Sequence, residues 1–468
     1  MNEGSVALVL AAGAGSRFGG GKLLASIDGR PVLQHVLDTL ADAGLADVVV
    51  VLGNDAGAVE SAMTWRDERR VINPAPDRGL SSSLQVGFGA VGPDAGSVLV
   101  ALGDQPLVDA NVIRSLLDAP QQDGRPIVVP AYADDGGRNP VLLYRPAFSL
   151  VAEAAGDRGL GPVLAAHPEL VTEVAVAGTN PDVDTPADLA RALEVVWASR
   201  VVANREQVER IREVPDGADF YAPVNSLFRA DPTRTDDPVL DALMTLVRPG
   251  ETWLDVGAGA GRFALPIARA LDSSGGSVIA LDASPSMLES LREIADDYAI
   301  ENVRTIEGRW PPVDRAASDV EADVVLIAHV GYDIEAIGPF VDAMESAARR
   351  LCVAVLMERQ PSSIADVCWP PVHGEARVPL PALPEFVELL RARGRNVEVT
   401  MLEREPRRFD RRDELAGFLR RQLWIADGGE KERRFLEAAE TLIVEDDGRF
   451  GVVGQRALPV GIAVWTPG

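Results

Sequence analysis

The chain has 468 residues, of which 47% are hydrophobic and 25% are charged, which is typical of soluble globular proteins and predicts two or three domains. Its formal net charge of −26 disfavours nucleic acid as a partner, because binding to a phosphate backbone depends on clustered Lys and Arg. Two cysteines exclude a disulfide framework, and the absence of any apolar run near the ~20 residues that span a bilayer predicts a cytoplasmic protein without a membrane partner.

The first part of the chain alternates short apolar runs with amphipathic helical patterns. Residues 6–10 form a continuous apolar run that predicts a buried strand, and residues 32–43 carry apolar side chains at helical spacing. Apolar strands that alternate with helices predict a mostly parallel sheet covered on both faces. A helix predicted at 186–202 ends the domain, with the dipeptide Asp184-Thr185 as its cap. Further strands are predicted at 47–52, 98–102 and 127–130, and a further helix at 112–117.

After a connecting stretch, the alternation of strands and helices starts again. Residues 198–245 are predicted to be helical and connective, and the aromatic residues at 220, 221 and 228 suggest either a spacer or a lid. The chain is therefore divided into a first domain at 1–197, a helical linker or lid at 198–245 and a second domain at 246–468. Both domains are expected to be doubly wound α/β folds. Strands of the second domain are predicted at 252–256, 277–281, 303–306, 323–328, 351–357, 397–402 and 460–465.

A glycine-rich loop follows the first predicted strand. Residues 10–22 contain five glycines, which let the backbone approach an anion and direct N–H groups toward phosphate oxygens. Arg17 and Lys22 add two positive charges where a triphosphate would lie. The loop is not a P-loop, because Lys22 is followed by Leu23, and it is not a dinucleotide fingerprint, because no glycine stands three residues after Gly15. Taken alone, it also fits a glycine-rich turn that carries two solvated basic residues.

The whole of residues 10–22 resembles the signature of the MobA-like nucleotidyltransferases, and four further motifs follow in the order that this family shows. The resemblance covers the chain to about residue 195. It implies a Rossmann-like sheet on which an acceptor phosphate attacks the α-phosphorus of a nucleoside triphosphate and pyrophosphate leaves. The four motifs are Asn73-Pro74 with Gly79-Leu80-Ser81-Ser82-Ser83-Leu84, then Leu102-Gly103-Asp104-Gln105-Pro106, Arg138-Asn139-Pro140-Val141, and Asp182-Val183-Asp184-Thr185-Pro186.

The resemblance assigns roles to particular residues of these motifs. Because an acceptor phosphate is already ionised at neutral pH, the reaction needs alignment and charge neutralisation rather than a general base. The implied catalytic residues are Arg17, Lys22 and Asp104, with Mg²⁺ held by Asp104 and Asp184. From the residues alone, Asp104 also fits a turn and Asp184 a helix cap. The implied nucleotide-binding residues are Leu10, Ala11, Ala12, Gly13, Gly15, Lys22, Asn73, Ser81 and Ser82.

The same resemblance narrows the substrates. Ala12, with the motifs around Ser81 and Asp104, is similar to the branch that transfers CMP from CTP to molybdopterin, which implies a molybdenum enzyme as the recipient of the cofactor. That branch commonly has Gly-His-Pro where this chain has Arg138-Asn139-Pro140, and Asn139 cannot titrate as histidine does. The acceptor therefore stays open. Two alternatives remain, a GTP-using guanylyltransferase of the same family and a sugar-1-phosphate nucleotidyltransferase.

A second glycine-rich turn occurs at residues 253–262. Arg262 stands where a dinucleotide fingerprint needs glycine, so that interpretation fails. The turn, together with Asp282 at the end of the next predicted strand, resembles the motifs of class I methyltransferases from about residue 220 onward. The resemblance implies S-adenosylmethionine as a cofactor, with Asp255 near its ammonium group and Asp282 on its ribose hydroxyls. The implied cofactor-binding residues are Asp255, Gly257, Gly259, Gly261, Asp282, Ala283 and Met287.

Residues after the fourth strand of this domain are candidates for the methyl-acceptor site. His329 and Tyr332 lie on the rim where open α/β sheets bind ligands, and His329 could be a general base. A structural histidine is the competing interpretation, as a core position is for Met287. The motifs of DNA base methyltransferases are missing, so a small-molecule acceptor of unknown identity is expected. The competing class of protein is a module that binds S-adenosylmethionine without catalysis.

Overall fold

The structure is a computed structural model that describes residues 4–13, 15–120, 124–133, 137–214, 229–312 and 320–468. The chain divides into two compact units, Met1–Leu193 and Glu194–Gly468. The aromatic residues at 220, 221 and 228, which were predicted to belong to a spacer or lid, lie outside the described residues. None of the described helices combines the length and the apolar composition that crossing a bilayer requires.

The first unit is built around a seven-stranded sheet. Its strands are β1 Ser5–Ala11, β2 Val48–Leu52, β3 Arg69–Ile72, β4 Ser97–Leu102, β5 Ile127–Tyr132, β6 Val141–Tyr144 and β7 Val171–Val176. The order across the sheet is β3-β2-β1-β4-β6-β5-β7, and β1 runs parallel to both of its neighbours. The predicted, mostly parallel sheet is confirmed. The antiparallel exception is β6, a strand of four residues that the sequence analysis did not predict.

Helices cover both faces of this sheet. β1 and β2 are buried on both faces, because nearly every side chain in them is aliphatic. Helix Val32–Asp42 packs into the core on one face, and helix Leu80–Ala90 packs on the other. The helices of this unit are Val32–Asp42, Ala56–Ala62, Leu80–Ala90, Ala110–Leu117, Gly161–Ala166 and the beginning of Pro186–Ile211, with 3₁₀ segments at Lys22–Leu24, Pro76–Arg78, Arg145–Glu153, Gly156–Arg158 and Pro168–Leu170.

The helix predicted at 186–202 is longer in the structure, where it spans Pro186–Ile211. The division between the two units falls inside this helix, after Leu193. Within the second unit, Nε1 of Trp197 donates to the carbonyl of Ile334 at 2.8 Å. The described part of the segment 198–245 contains the end of this helix and the helix Pro238–Met244, both in the second unit. The role of that segment as a linker or lid stays a prediction.

The second unit contains another seven-stranded sheet. Its strands are β8 Thr252–Val256, β9 Ser277–Asp282, β10 Val303–Glu307, β11 Ala322–Ala328, β12 Ala348–Met357, β13 Glu398–Leu402 and β14 Val460–Trp465. The order is β10-β9-β8-β11-β12-β14-β13, and β14 is antiparallel to both of its neighbours. All seven predicted strands are present, and the predicted α/β class is confirmed for both units.

The second unit also has a smaller hydrophobic core that the sequence analysis did not predict. Trp369, Leu419 and Phe435 are fully buried in this core, which lies apart from the core around the sheet. Residues from 364 onward build most of it, and Ile211 at the end of helix Pro186–Ile211 completes it. The helices of the second unit are Pro238–Met244, Ala264–Asp272, Pro285–Asp297, Ile337–Ala347, Trp369–His373, Leu383–Ala392, Arg412–Gln422 and Glu430–Leu442, with a 3₁₀ segment at Pro361–Cys368 and a hairpin of Ile443–Asp446 and Arg449–Val452.

Candidate active sites

The predicted nucleotide-binding residues at the end of β1 are held by close backbone packing. Leu10 and Ala11 are the last residues of that strand, and Ala12 and Gly13 follow it. A Cβ at Gly53, just after β2, would lie 2.6 Å from the carbonyl oxygen of Ala12, so only glycine fits there. The sequence analysis missed Gly53, because the contact joins two strands that are distant in sequence.

The loop after β1 wraps around the side chain of Lys22. Gly15 has a φ of 59°, and a Cβ there would lie 3.3 Å from Cγ of Lys22, so glycine suits this position. The N–H groups of Phe18 and Gly20 donate to the carbonyl of Gly15 at 3.0 and 3.1 Å. These bonds close the turn and direct Lys22 toward the carboxyl end of β4.

Four predicted catalytic or metal-binding residues meet at this edge of the sheet. Nζ of Lys22 donates to a carboxylate oxygen of Asp104, which follows β4, and to Oδ1 of Asp184 at 3.1 Å. Arg17 donates to Oδ2 of Asp184 at 2.7 Å. Burial of Lys22 by itself lowers its pKa, but the attraction and hydrogen bonds of Asp104 and Asp184 outweigh burial, and the pKa is raised. Lys22 is therefore charged and holds two acidic side chains together.

The helix cap near Asp184 is formed by its neighbours. Oγ1 of Thr185 accepts from the N–H of Asp188 at 3.2 Å, and Oδ2 of Asp188 accepts from the N–H of Thr185 at 2.7 Å. This reciprocal pair is a capping box, with Thr185 as the N-cap residue. The sequence predicted that Asp184 and Thr185 together cap this helix, and the structure assigns the N-cap to Thr185. The carboxylate of Asp184 is left for Lys22 and Arg17.

Three further polar residues at this site were not assigned from the sequence. Gln105 donates to Oδ1 of Asp182 at 2.7 Å, and Asn180 donates to Oε1 of Gln105 at 3.1 Å. The N–H of Val183 donates to the carbonyl of Asp104 at 2.9 Å, which ties this segment to the end of β4. Burial and the negative charge of Asp104 raise the pKa of Asp182. Asp182 and Asp184 flank Val183, and residues two positions apart in an extended segment lie on the same side of it. This spacing was the available sequence signal for Asp182.

Asp104 and Asp184 suit a divalent cation by the chemistry of their donors. Their carboxylates reach the same cationic atom, Nζ of Lys22, from two separate segments. Mg²⁺ prefers such oxygens and is bound by one or two carboxylates together with substrate phosphates. Across the described ranges, no group of three or more acidic, histidine or cysteine side chains is placed to hold a metal. The shared contact with Lys22 is consistent with a two-carboxylate site that substrate phosphates complete, and metal binding stays a prediction.

The other predicted nucleotide contacts lie around helix Leu80–Ala90. Nδ2 of Asn73 donates to Oγ of Ser82 at 2.7 Å and to Oγ of Ser83 at 3.0 Å. Asn73 is buried, as is Ser81. Asn73 therefore positions the hydroxyl groups of this motif. Direct contact of Asn73, Ser81 or Ser82 with a nucleotide stays a prediction.

The second unit places a comparable turn after β8. Gly257, Gly259 and Gly261 have φ values of 75°, 55° and 83°, which side chains other than glycine rarely adopt. A Cβ at Gly257 would collide with Val330 and one at Gly261 with Leu265, whereas one at Gly259 would meet nothing within 4 Å. Packing therefore fixes both ends of the turn, and a ligand can approach the backbone at Gly259.

Asp255 lies beneath this turn. Its Oδ1 is buried and has no hydrogen-bond partner among the residues that the structure describes. Burial, with a smaller effect from the negative charge of Asp282, raises the pKa of Asp255 to about 7. A cationic group such as the ammonium of S-adenosylmethionine would pair with that oxygen and lower the pKa again. The residues at this turn thus fit the cofactor.

Asp282 is held at the end of β9 by two backbone groups. Its Oδ2 accepts from the N–H of Gly259 and its Oδ1 from the N–H of Ser284, both at 2.8 Å. These two bonds fix the carboxylate beside the glycine turn, and its contact with ribose hydroxyls stays a prediction. Ala283 is exposed, whereas Met287 is 2% exposed at the start of the next helix. The cofactor-contact and core interpretations of Met287 both remain.

His329 and Tyr332 are close together at the carboxyl ends of β11 and β12. Nδ1 of His329 lies 3.5 Å from the hydroxyl oxygen of Tyr332, which accepts from the N–H of Met357 at 2.7 Å. Burial, then the positive charges of Arg404 and Arg262, lower the pKa of His329 to about 4. The imidazole is therefore neutral at pH 7, as a general base must be, but it is weakly basic. Its role in methyl transfer stays a prediction.

An ion-pair cluster beside this rim was not predicted. Oδ2 of Asp237 accepts from Arg234 at 3.0 Å and from Arg262 at 2.6 Å. The guanidinium groups of Arg234 and Arg262 also lie over the ring of Phe263, at 5.8 and 5.7 Å from its centroid. Arg262 thus anchors the glycine turn to the segment before helix Pro238–Met244. No motif signals this contact, because the paired residues come from different segments.

Comparison with known proteins identifies the two domains. Residues 7–171 match the sequence profile of the MobA-like NTP transferase domain. The nicotine blue oxidoreductase of Paenarthrobacter nicotinovorans is 33% identical over 198 residues, which cover 40% of this chain and 95% of that protein. The chain belongs to the MobA-like NTP transferase family. Beyond this MobA-like domain, residues 248–364 match the profile of a methyltransferase domain. The chain therefore combines an NTP transferase domain with a methyltransferase domain.

Other relatives resemble one part of the chain only. The bifunctional protein GlmU of Exiguobacterium sibiricum is 33% identical over 132 residues, which cover 28% of this chain and 29% of that protein. The chain thus spans less than a third of that relative. Rv0371c from Mycobacterium tuberculosis H37Rv is 33% identical and covers 41% of this chain and 97% of its own, with a TM-score of 0.37. The YcgJ protein from Bacillus subtilis is 17% identical and covers 49% of this chain and 98% of its own, with a TM-score of 0.34.

Proposed function

We propose that the protein is a bifunctional enzyme. Its MobA-like domain transfers a nucleotidyl group, CMP from CTP, to a phosphorylated acceptor, molybdopterin, and releases pyrophosphate. Its methyltransferase domain moves a methyl group from S-adenosylmethionine to a small-molecule acceptor. The observation that carries the first activity is the convergence of Lys22 and Arg17 on the carboxylates of Asp104 and Asp184.

Lys22 is the residue best suited to neutralise charge on the phosphates. It is 8% exposed, so its ammonium would meet phosphate oxygens with little competition from bulk water. Lys22 and Lys431 are the only lysines among 45 basic residues, and all others are arginine. A compact ammonium fits between closely spaced oxygens that a planar guanidinium would push apart. We assign to Lys22 the stabilisation of charge that develops as pyrophosphate leaves.

The acidic residues have a complementary role. Asp104 and Asp184 would hold Mg²⁺, which supplies positive charge to the phosphates when bound. Capping by Thr185 supports this assignment, because it leaves the Asp184 carboxylate available. Gln105 fixes Asp182 beside these acids and so limits its movement. The acceptor phosphate needs no base from the protein, since it is already ionised at neutral pH.

Fewer observations support the identity of the nucleotide donor and of the acceptor than support the reaction class. Ala12, with the motifs around Ser81 and Asp104, supports CTP as donor and molybdopterin as acceptor, with a molybdenum enzyme as the later recipient. The relatives carry the names of GlmU and of a nicotine blue oxidoreductase, so family membership by itself leaves the acceptor open. GTP as donor and a sugar 1-phosphate as acceptor are the alternatives.

A screen of donors and acceptors tests the first activity. Full-length protein with Mg²⁺ is given CTP, GTP, UTP or ATP, each with molybdopterin or glucose 1-phosphate, and pyrophosphate release is measured. We expect the highest rate with CTP and molybdopterin. A preference for GTP or for the sugar phosphate would overturn the substrates but leave the reaction class standing. Absence of pyrophosphate release from every pair would overturn nucleotidyl transfer.

The second activity rests on the polar groups around the glycine turn. Asp255 presents a buried oxygen without a partner among the described residues, Gly259 leaves the backbone accessible, and Asp282 is held at the edge of the turn by the N–H of Gly259. These features support binding of S-adenosylmethionine. Turnover is tested by measuring binding of the cofactor and its conversion to S-adenosylhomocysteine with candidate small molecules. Tight binding without conversion by any acceptor would favour the non-catalytic alternative.

A further inference from the structure

Arginine side chains collect at the carboxyl edge of the second sheet, on the segment that follows β13. Leu402 ends β13 and pairs with Val460 of β14, which pairs in turn with Met357 at the end of β12. β13 therefore ends at the same edge as β12 and its parallel neighbour β11. Arg404 follows β13 by two residues, so it lies at the edge where His329 follows β11.

The charges that act on His329 at this edge are mainly positive. Burial lowers the pKa of His329 most, followed by the charges of Arg404 and Arg262, and Asp237 is the acid that opposes them. Asp237 also accepts from Arg234 at 3.0 Å and from Arg262 at 2.6 Å. Its one negative charge is thus shared between two guanidinium groups, and Arg404 adds a third positive charge.

Arg404 also belongs to a group of three neighbouring arginines. Cζ of Arg407 lies 5.0 and 4.7 Å from the ring centroids of Phe409 and Phe418. Phe418 and Arg421 are three residues apart on one helix, so they are neighbours on its surface. Burial, then the charges of Arg404 and Arg421, lower the pKa of Arg407. The three positive charges are therefore close enough to repel one another.

This mutual repulsion distinguishes the group from arginines elsewhere in the chain. Arg349 is typical of those that pair with acids, because its acidic partners raise its pKa. The pKa of Arg407 changes in the opposite direction, since like charges disfavour the charged form. Although Glu403 and Glu405 flank Arg404 in the sequence, the charges of the described residues that act on Arg407 are those of arginines. An anion bound between these guanidinium groups would relieve the repulsion.

Arg262, Arg404, Arg407 and Arg421 together form what we call the arginine strip, which begins at the glycine turn and continues past His329. We propose that the methyl acceptor carries a pyrophosphate group, which binds the arginine strip and holds the acceptor beside His329. The inference rests on the proposed methyl transfer and names the class of its acceptor. A guanidinium binds phosphate oxygens through paired hydrogen bonds, and several guanidinium groups in succession suit a group with more than one phosphate.

A pyrophosphate link also connects this acceptor with the first proposed activity. When an acceptor phosphate attacks the α-phosphorus of a nucleoside triphosphate, the product contains two linked phosphates. Nucleotidyl transfer is therefore the class of reaction that supplies such a methyl acceptor, and the two activities would act on one molecule in sequence. In the second step a lone pair of the acceptor bonds to the methyl carbon, the electron pair of the broken carbon–sulfur bond stays on sulfur, and any proton on the attacking atom passes to water.

Inorganic pyrophosphate is a suitable probe, because it carries the anionic group alone. Full-length protein near pH 8 without Mg²⁺, with and without S-adenosylhomocysteine, is titrated with pyrophosphate or with inorganic phosphate. The ring resonance of His329 is followed by nuclear magnetic resonance, and this signal separates binding at the strip from binding at Lys22. We expect pyrophosphate to shift the signal and to bind at least about tenfold more tightly than phosphate, because it reaches more than one guanidinium.

Matched substitutions locate the probe on the strip. Arg404→Gln and Arg421→Gln should each weaken pyrophosphate binding by about tenfold and leave the affinity for S-adenosylmethionine unchanged. Both arginines are exposed, so the variants should fold, which circular dichroism verifies. Arg391→Gln is the control, because it removes one exposed arginine near the end of the helix that precedes β13, toward the opposite edge of the sheet. It should change neither affinity.

The outcomes separate this inference from the proposed function. An unmoved His329 signal, phosphate that binds as tightly as pyrophosphate, or unchanged pyrophosphate affinity in folded Arg404→Gln would contradict the inference. Methyl transfer to an acceptor without phosphate groups would also contradict it, while supporting the proposed methyltransferase activity. Conversely, pyrophosphate binding that Arg404→Gln weakens, in a protein that does not bind S-adenosylmethionine, would support the strip as an anion site and contradict methyl transfer.

Discussion

The two units place glycine-rich turns at the same topological position and give them opposite charges. Each turn follows a central strand, β1 in one sheet and β8 in the other. In the first unit the turn itself supplies the cations Arg17 and Lys22, and the acids come from distant segments. In the second unit Asp255 lies in β8 and Asp282 ends β9, and Gly259 of the turn donates its backbone N–H to Asp282.

This difference indicates which ligand each turn can bind. A loop that carries two cations suits a polyanion such as a triphosphate. A turn beside a buried carboxylate oxygen that has no partner among the described residues suits a ligand with a positive group. Glycine content alone does not distinguish the two turns. The sign of the charge that reaches the carboxyl edge of the sheet does distinguish them.

Removal of one carboxylate from the first site should have the largest effect. Asp104→Asn should reduce pyrophosphate release by on the order of 10²–10³-fold, because one of two predicted metal ligands is lost. Asp47→Asn is the control, since Asp47 pairs with Arg69 on the surface and should change the rate by less than about twofold. Substantial activity in a folded Asp104→Asn protein would remove Asp104 from the metal site.

Removal of the buried cation should affect catalysis and metal binding in opposite directions. Lys22→Met should lower pyrophosphate release by about 10²-fold, because charge on the phosphates is no longer neutralised. In the absence of nucleotide it should raise Mn²⁺ affinity by about tenfold, because the ammonium no longer competes for Asp104 and Asp184. Lys431→Met, at the only other lysine, should change neither quantity. Weaker Mn²⁺ binding by Lys22→Met would show that the ammonium and the metal do not share the acids.

The buried acid of the second site should make stability depend on pH. The pKa of Asp255 is raised to about 7, so the folded protein retains a proton that the unfolded chain has released, and stability falls as pH rises from about 4 to 7. Asp255→Asn should remove up to about 4 kcal/mol of this dependence. The variant should therefore unfold at a higher temperature than wild type at pH 8, with the difference shrinking toward pH 4.

The same variant should bind its cofactor less well. Loss of the carboxylate charge should lower affinity for S-adenosylmethionine by about tenfold at pH 8, as measured by calorimetry. Asp296→Asn, at an exposed position, serves as the control for both measurements. An Asp255→Asn protein that is less stable at pH 8 yet binds the cofactor normally would make Asp255 a structural residue.

The smallest expected effect concerns His329, whose imidazole should not titrate between pH 8 and pH 5.5. The pKa of His329 is lowered to about 4 by burial and by the charges of Arg404 and Arg262, so its ring resonances should not move between pH 8 and pH 5.5. Nuclear magnetic resonance spectra of wild type and His329→Asn assign and follow that signal among four histidines. A midpoint near 6.5 would place His329 in solvent, away from the charged rim.

Much of the fold was predictable because its strands are apolar and separated by turns. β8 and β14 begin and end at the residues that the pattern predicts. β3, β6 and β7 were not predicted. β3 and β6 have four residues each, too few for a reliable periodicity, and the antiparallel position of β6 depends on tertiary packing. The smaller core around Trp369 was missed because side chains from several helices combine only in the folded protein.

The candidate sites were predictable only as far as motifs extend. Lys22 and Asp104 were predicted because each stands in a recognisable motif, but the hydrogen bond between Asn180 and Gln105 was not, since it joins residues 75 positions apart. The choice between Asp184 and Thr185 as the cap could not be made from sequence, because both residue types cap well. The hydrogen bonds of Thr185 and Asp188 decide it.

The most direct test follows the phosphorus atoms of the nucleotide. Full-length protein with Mg²⁺ and molybdopterin is given CTP labelled at either the α- or the γ-phosphorus. Nucleotidyl transfer by the site of Lys22 and Asp104 predicts that the α-label moves to the acceptor and the γ-label leaves as pyrophosphate. Release of the γ-label as inorganic phosphate, or its transfer to the acceptor, would contradict the account.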